Sequence, residues 1–125
     1  MPESPWKSLS DVNPDRDYLA LISYLPLKKF WSLPKFVNYT GKIQKQLRKS
    51  AGLIGYSLLA KPLKLKFWTL SVWEDEKALM DFVRDIPHKD VMSELLPHIE
   101  KTKFERWKIR GSEVPPAWKD ALTRL

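Results

Sequence analysis

Residues Tyr18–Leu25 read YLALISYL, a run of aromatic and branched side chains that is apolar on both alternations. A strand with that pattern is buried on two faces and sits in the middle of its sheet. LKFWTLSVW, Leu65–Trp73, makes the same demand. Two central strands therefore organise the chain, and the rest is read outward from them.

After the first strand, Pro26 and LKKFWSLP interrupt the pattern, and Pro34 suits the first turn of a helix. In KFVNYTGKIQKQLRKSAG, the residues Phe36, Tyr39, Thr40, Ile43 and Leu47 recur at helical spacing. Lysines occupy the other faces, basic residues crowd the last turn, and Gly52 is expected to cap it. LIGYSLLA, Leu53–Ala60, and a turn around Pro62 lead into the second central strand as an antiparallel pair. Glu74, Asp75 and Glu76 then open a second helix with Ala78, Leu79, Phe82, Val83 and Ile86 on one stripe. Pro87 breaks or kinks that helix, and HKDVMSELL forms a further helical piece with His88 and Met92 on one side. FERWKIR, Phe104–Arg110, alternates as a last strand, and AWKDALTRL closes the chain as a short helix.

This order, βαββαβ plus a tail, predicts an α+β, ferredoxin-like domain with a four-stranded antiparallel sheet and an extra C-terminal helix. Residues 1–16 read as an N-terminal arm and residues 17–125 as one domain. One set of helices covers only one side of such a sheet. A homodimer joined sheet to sheet is the expected cover for the other.

Composition removes several function classes. The 125 residues include no cysteine, two histidines and four glycines. Disulfides, thiolate chemistry and multi-histidine metal sites are excluded, and no metal site is predicted. The glycines, Gly41, Gly52, Gly55 and Gly111, are too few and too scattered for a dinucleotide fingerprint or a P-loop. The longest uncharged runs fall short of the roughly 18 to 20 residues of a membrane crossing. The start lacks an apolar signal core, so a cytoplasmic location is expected. The formal charge of +7 is very uneven, with ten basic residues and no acidic one between Tyr18 and Trp73. That field attracts anions or serves as a solvated face. LKKFWSLPKF mixes lysines with bulky aromatics, which suits an anionic membrane surface as well as ordinary packing. Nucleic acid is disfavoured as a partner, because no reading motif accompanies the charge.

The run FWTLSVWEDEKALMDFVRDIPHKDVM, Phe67–Met92, followed by FERWKI, resembles the antibiotic biosynthesis monooxygenase-like group of dimeric α/β-barrel proteins. The span from Tyr18 to Leu125 is similar to small bacterial proteins near the spheroidene monooxygenase-like branch. The resemblance implies a small-molecule ligand held between sheet and helices. It also implies a monooxygenase activity on an apolar or aromatic substrate, although the group mixes cofactor-free oxygenases, haem-binding proteins, isomerases and members without activity. On this resemblance the ligand-facing residues are Phe36, Tyr39, Phe82, His88 and Met92, joined by Tyr24, Tyr56 and Trp73. Trp68 and Trp73 are five residues apart and point to opposite sides of a strand, so only one can belong, and Trp73 is preferred.

His88 is the candidate catalytic residue. It could serve as a general base near neutral pH, as an iron ligand, or as a histidine satisfied by backbone groups beside Pro87. His98 is expected at the surface. Tyr24, Tyr56, Trp68, Trp73 and Trp107 could wrap a flat ligand or simply fill core, and an unpaired polar tip on a buried one would favour the ligand role. Haem-degrading relatives carry a tryptophan on the second helix and a later histidine ligand, where this chain has Phe82 and Met92. No cofactor is predicted; haem bound through His88 is the alternative, and a non-enzymatic binding module using the basic segment 28–66 is another.

Overall fold

A computed structural model describes residues 6–84, 96–99 and 101–125. The strands are β1 (Lys7–Ser8), β2 (Asp17–Pro26), β3 (Leu53–Lys61), β4 (Lys66–Trp73) and β5 (Lys103–Arg110), and the helices are α1 (Leu33–Lys49), α2 (Glu76–Arg84) and α3 (Trp118–Thr123). All pairings are antiparallel, in the order β1-β3-β4-β2-β5. β2 and β4 are central, as their two-sided apolar pattern requires. The four expected strands form the ferredoxin-like core. The arm adds a fifth, because the outer edge of β3 leaves backbone groups free to pair with Lys7 and Ser8.

Helix ends follow local chemistry. Pro34 lies in the first turn of α1, and Arg48 and Lys49 lie in its last. Gly52 is not the cap of α1. Ser50 takes that place, donating from its hydroxyl to the Gln46 carbonyl and from its N–H to Leu47. Gly52 instead adopts φ +82°, and an added Cβ would stand 2.5 Å from that of Ala78. Only glycine tolerates both the left-handed backbone and the approach of α2. The Asp75 carboxylate accepts the Ala78 N–H at 2.9 Å and so caps the start of α2. The helical piece expected over HKDVMSELL lies outside the described residues.

Paired residues share a face, so the ladder assigns sides directly. Leu19, Leu21 and Leu25 of β2 and Phe67 and Trp73 of β4 face α1 and α2, where two clusters form. Tyr18, Ala20 and Ile22 with Leu70 and Val72 face the other way. That second face is covered by the chain itself. Trp6 and Val12 of the arm join one cluster there, and Trp118, Ala121, Leu122 and Leu125 of the tail join another. Trp6 packs so closely on Gly55 that a Cβ there would lie 2.7 Å from its ring. Trp118 donates its indole N–H to Ser57 Oγ at 3.2 Å, pinning α3 to β3. The expected homodimer rested on an uncovered face, and at these positions that need is met within one chain. No helix among the described residues is long and apolar enough to cross a membrane.

Ala121 is fully buried against Ile22 and Leu70. Ala121→Asp would place an unpaired carboxylate there, with an expected cost of about 3 kcal/mol or release of α3. Thermal unfolding should show a lowered Tm, and light scattering should show self-association through the exposed strands.

Candidate functional site

The helix-facing side of the sheet is a grid of rows set by register. Leu19, Trp73 and Leu53 form one row; Leu21, Ser71 and Tyr56 the next; Ser23, Thr69 and Leu58 the third; Leu25, Phe67 and Ala60 the last. Aromatic side chains stand at both ends of the central strands, and between them the hydroxyl residues Ser23, Thr69 and Ser71 share their rows with Leu21, Tyr56 and Leu58. At one end Phe36 of α1 meets Phe67 with ring centroids 4.4 Å apart, beside buried Tyr39. At the other, Trp73 meets Phe82 of α2 at 5.1 Å, beside Tyr56 and Leu79. Ile43 of α1 touches both clusters. The layer thus mixes hydroxyl and apolar side chains between two aromatic clusters.

Polar groups in this layer differ in how they are satisfied. Trp73, 1% exposed, donates its indole N–H to Ser71 Oγ at 2.9 Å, which leaves the indole no donor to spare. Gln46 of α1 donates from Nε2 to the Phe82 carbonyl at 3.2 Å, tying the two helices together, yet its Oε1 is buried without a partner among the described residues. Among the described residues the Tyr56 hydroxyl is likewise buried without a partner, on a residue only 2% exposed. Each such orphan costs roughly 1 to 3 kcal/mol relative to a satisfied group. A phenol can donate to, or accept from, an oxygen of a bound molecule, and an amide oxygen can accept from a hydroxyl.

The structure brings Phe36, Tyr39, Tyr56, Trp73 and Phe82 to the helix-facing layer. It does not bring Tyr24 there. Tyr24 pairs with Trp68 across β2 and β4, and their rings stack at 5.3 Å on the opposite side of the sheet. His88 and Met92 lie outside the described residues. His98 is not the free surface residue the sequence predicts. It is half-buried, its Nδ1 shares a hydrogen bond of 3.0 Å with Ser32 Oγ, and its carbonyl accepts the Lys28 N–H. Gln46 was missed by sequence reasoning, although its spacing from Phe36, Tyr39 and Ile43 put a polar residue on the apolar stripe. Among the described residues, no group of three His, Asp or Glu side chains could hold a metal ion.

Replacing Tyr56 by Phe removes the orphaned hydroxyl and nothing else. Chemical denaturation should show the variant at least as stable as the parent, with a gain of up to about 1 kcal/mol. A loss of that size would mean that the hydroxyl already has a structural partner.

No family model matches the sequence, and no curated protein matches it. Solved structures do match. A monooxygenase candidate from Lactobacillus acidophilus superposes with a TM-score of 0.67 at 11% identity, over 81% of this chain and 47% of that one. SnoaB, a cofactor-independent oxygenase from Streptomyces nogalater, gives 0.65 at 12% identity, over 82% of this chain and 100% of that one. An antibiotic biosynthesis monooxygenase candidate from Nitrosomonas europaea gives 0.64 at 14%, over 71% and 95%. The chain spans about half the length of the Lactobacillus protein and all of SnoaB. At these identities the likeness is one of architecture: the chain has the ferredoxin-like fold of antibiotic biosynthesis monooxygenase-like proteins.

Proposed function

We propose that the protein is an oxygenase that binds an apolar or aromatic small molecule between the helices and the sheet. The observation that carries this reading is the Tyr56 hydroxyl, buried and unpartnered among Trp73, Phe82 and Leu79. A core tyrosine with no ligand to meet gains nothing from its hydroxyl, and phenylalanine would fill the same place. The fold shared with SnoaB, a cofactor-independent oxygenase, supports the same reading.

Such chemistry asks three things of a protein. A base must take a proton from an electron-rich hydroxylated substrate, a donor must stabilise the resulting anion, and water must be kept out. In this proposal Tyr56 is the donor, the aromatic clusters exclude water, and Gln46 Oε1 accepts from a second substrate hydroxyl. His88 is assigned the base on sequence grounds. The substrate carbanion adds to dioxygen, and the peroxide loses water, so that one oxygen atom enters product and the substrate supplies the electrons. The alternative haem reading rests on His88, on sequence grounds.

Oxygen uptake with hydroxylated polycyclic aromatics, measured with an electrode in the presence of chelator, tests the proposal. Tyr56→Phe should lower kcat/KM about 100-fold without loss of stability, and His88→Ala should lower it about 100-fold or more. Full activity in Tyr56→Phe would remove the hydroxyl from the mechanism. A Soret band in the protein as isolated would favour haem binding instead.

A further inference from the structure

The proposed site leaves unused the surface turns at the end of the sheet where β3 turns into β4. Lys61 and Lys66 stand directly opposite each other in that ladder, an unfavourable like-charge pair. The turn between them, a 3-10 turn at Pro62–Lys64, is followed by Leu65 at φ +57°, a left-handed backbone that disfavours a leucine side chain. The Leu65 carbonyl accepts the Leu27 N–H at 2.8 Å, which draws in the segment after β2 and its own 3-10 turn, Phe30–Ser32. Two neighbouring turns thus project from one end of the molecule. At their tips Leu63 is 87% exposed and Trp31 75%, with Phe30 exposed beside Trp31. Lys29 Nζ sits 4.6 Å over the Trp31 ring.

The opposite end carries exposed ion pairs, although Arg48 and Lys49 at the end of α1 are in none among the described residues. There Arg16 meets Glu74 at 3.3 Å, Arg106 meets Glu76 at 2.8 Å and Arg110 meets Asp17 at 3.6 Å. Among the described residues, none of Lys28, Lys29, Lys61, Lys64 and Lys66 is in an ion pair. Unmatched cations, exposed apolar tips and a strained turn therefore coincide.

We propose that this end docks on the surface of an anionic lipid bilayer, with Trp31 and Leu63 entering the headgroup region and the lysines meeting lipid phosphates and carboxylates. An anionic surface supplies the missing counter-charge, and the interface accommodates an amphipathic indole. A bilayer also accepts convex tips without a matching pocket, whereas an acidic protein would have to be moulded around two separate turns. The proposal is independent of the oxygenase reading.

Co-sedimentation of the full chain with phosphatidylcholine vesicles, with and without phosphatidylserine, is the test. Retention is expected only with phosphatidylserine and should fall as salt rises. Lys29→Gln and Lys64→Gln should each weaken it about fivefold, and the double variant Trp31→Ala, Leu63→Ala about tenfold. These side chains face water, so circular dichroism should confirm an intact fold. The proposal is overturned by equal retention on neutral vesicles, by absence of retention, or by retention indifferent to the loss of Trp31 and Leu63. Binding to polyglutamate as strong as to the anionic vesicles would overturn it in favour of an acidic protein partner.

Discussion

A sheet whose central strands are apolar on both sides must be covered twice. β2 and β4 impose this constraint, because Leu19, Leu21 and Leu25 alternate with Tyr18, Ala20 and Ile22 along the same strand. One face is met by the helices that the βαββαβ order supplies. The other is met by the two ends of the chain, which lie far apart in sequence and converge through Trp6, Trp107 and Trp118. Gly55 lets the arm lie flat on the sheet, and Ser57 receives the Trp118 indole. Both adaptations occur on β3. Residues Trp6, Val12 and the helix around Ala121 thus cover the second face, which gives this ferredoxin-like domain a three-layer construction.

The two faces differ in what they hold. The second face carries four tryptophans, Trp6, Trp68, Trp107 and Trp118, whereas the helix side holds hydroxyl residues at its centre, Ser23, Thr69 and Ser71, in rows shared with Leu21, Tyr56 and Leu58. The two orphaned polar atoms belong to residues of this same layer, Tyr56 on β3 and Gln46 on α1. Polar groups left unsatisfied inside an otherwise saturated structure mark the place where stability has been conceded. The Trp73 indole shows the contrast, since Ser71 two residues away satisfies it and makes it a packing element.

Patterns local to one element were legible in the sequence, and patterns that depend on pairing between elements were not. Two-sided apolarity placed β2 and β4 at the centre, and the acidic triplet marked the start of α2. Alternation also separated Trp68 from Trp73. It could not group Tyr24 with the correct partner, because that depends on the β2–β4 register, which opposes Tyr24 to Trp68. The self-cover of the second face was obscured for a similar reason. AWKDALTRL reads as a short helix, but nothing local says that Ala121 reaches Ile22 and Leu70. Gly52 looked like a cap until the approach of Ala78 showed what its missing side chain accommodates. His98 looked exposed until the bridge between Leu27 and Ile99 carried it to Ser32.

The charge asymmetry and the layer meet at one residue. Leu65 carries the left-handed backbone of the β3–β4 turn, accepts the Leu27 N–H, and packs into the cluster with Phe36 and Phe67. Its backbone faces the exposed turn while its side chain belongs to the aromatic end of the candidate site. Relaxing the turn toward an ordinary conformation would move that side chain and the Leu27 segment together, because the 2.8 Å hydrogen bond joins them. At the opposite end the contact of Gly52 with Ala78 fixes the approach of α2, while the exposed ion pairs there add little. One leucine therefore links the lysine-rich surface to the aromatic end of the interior.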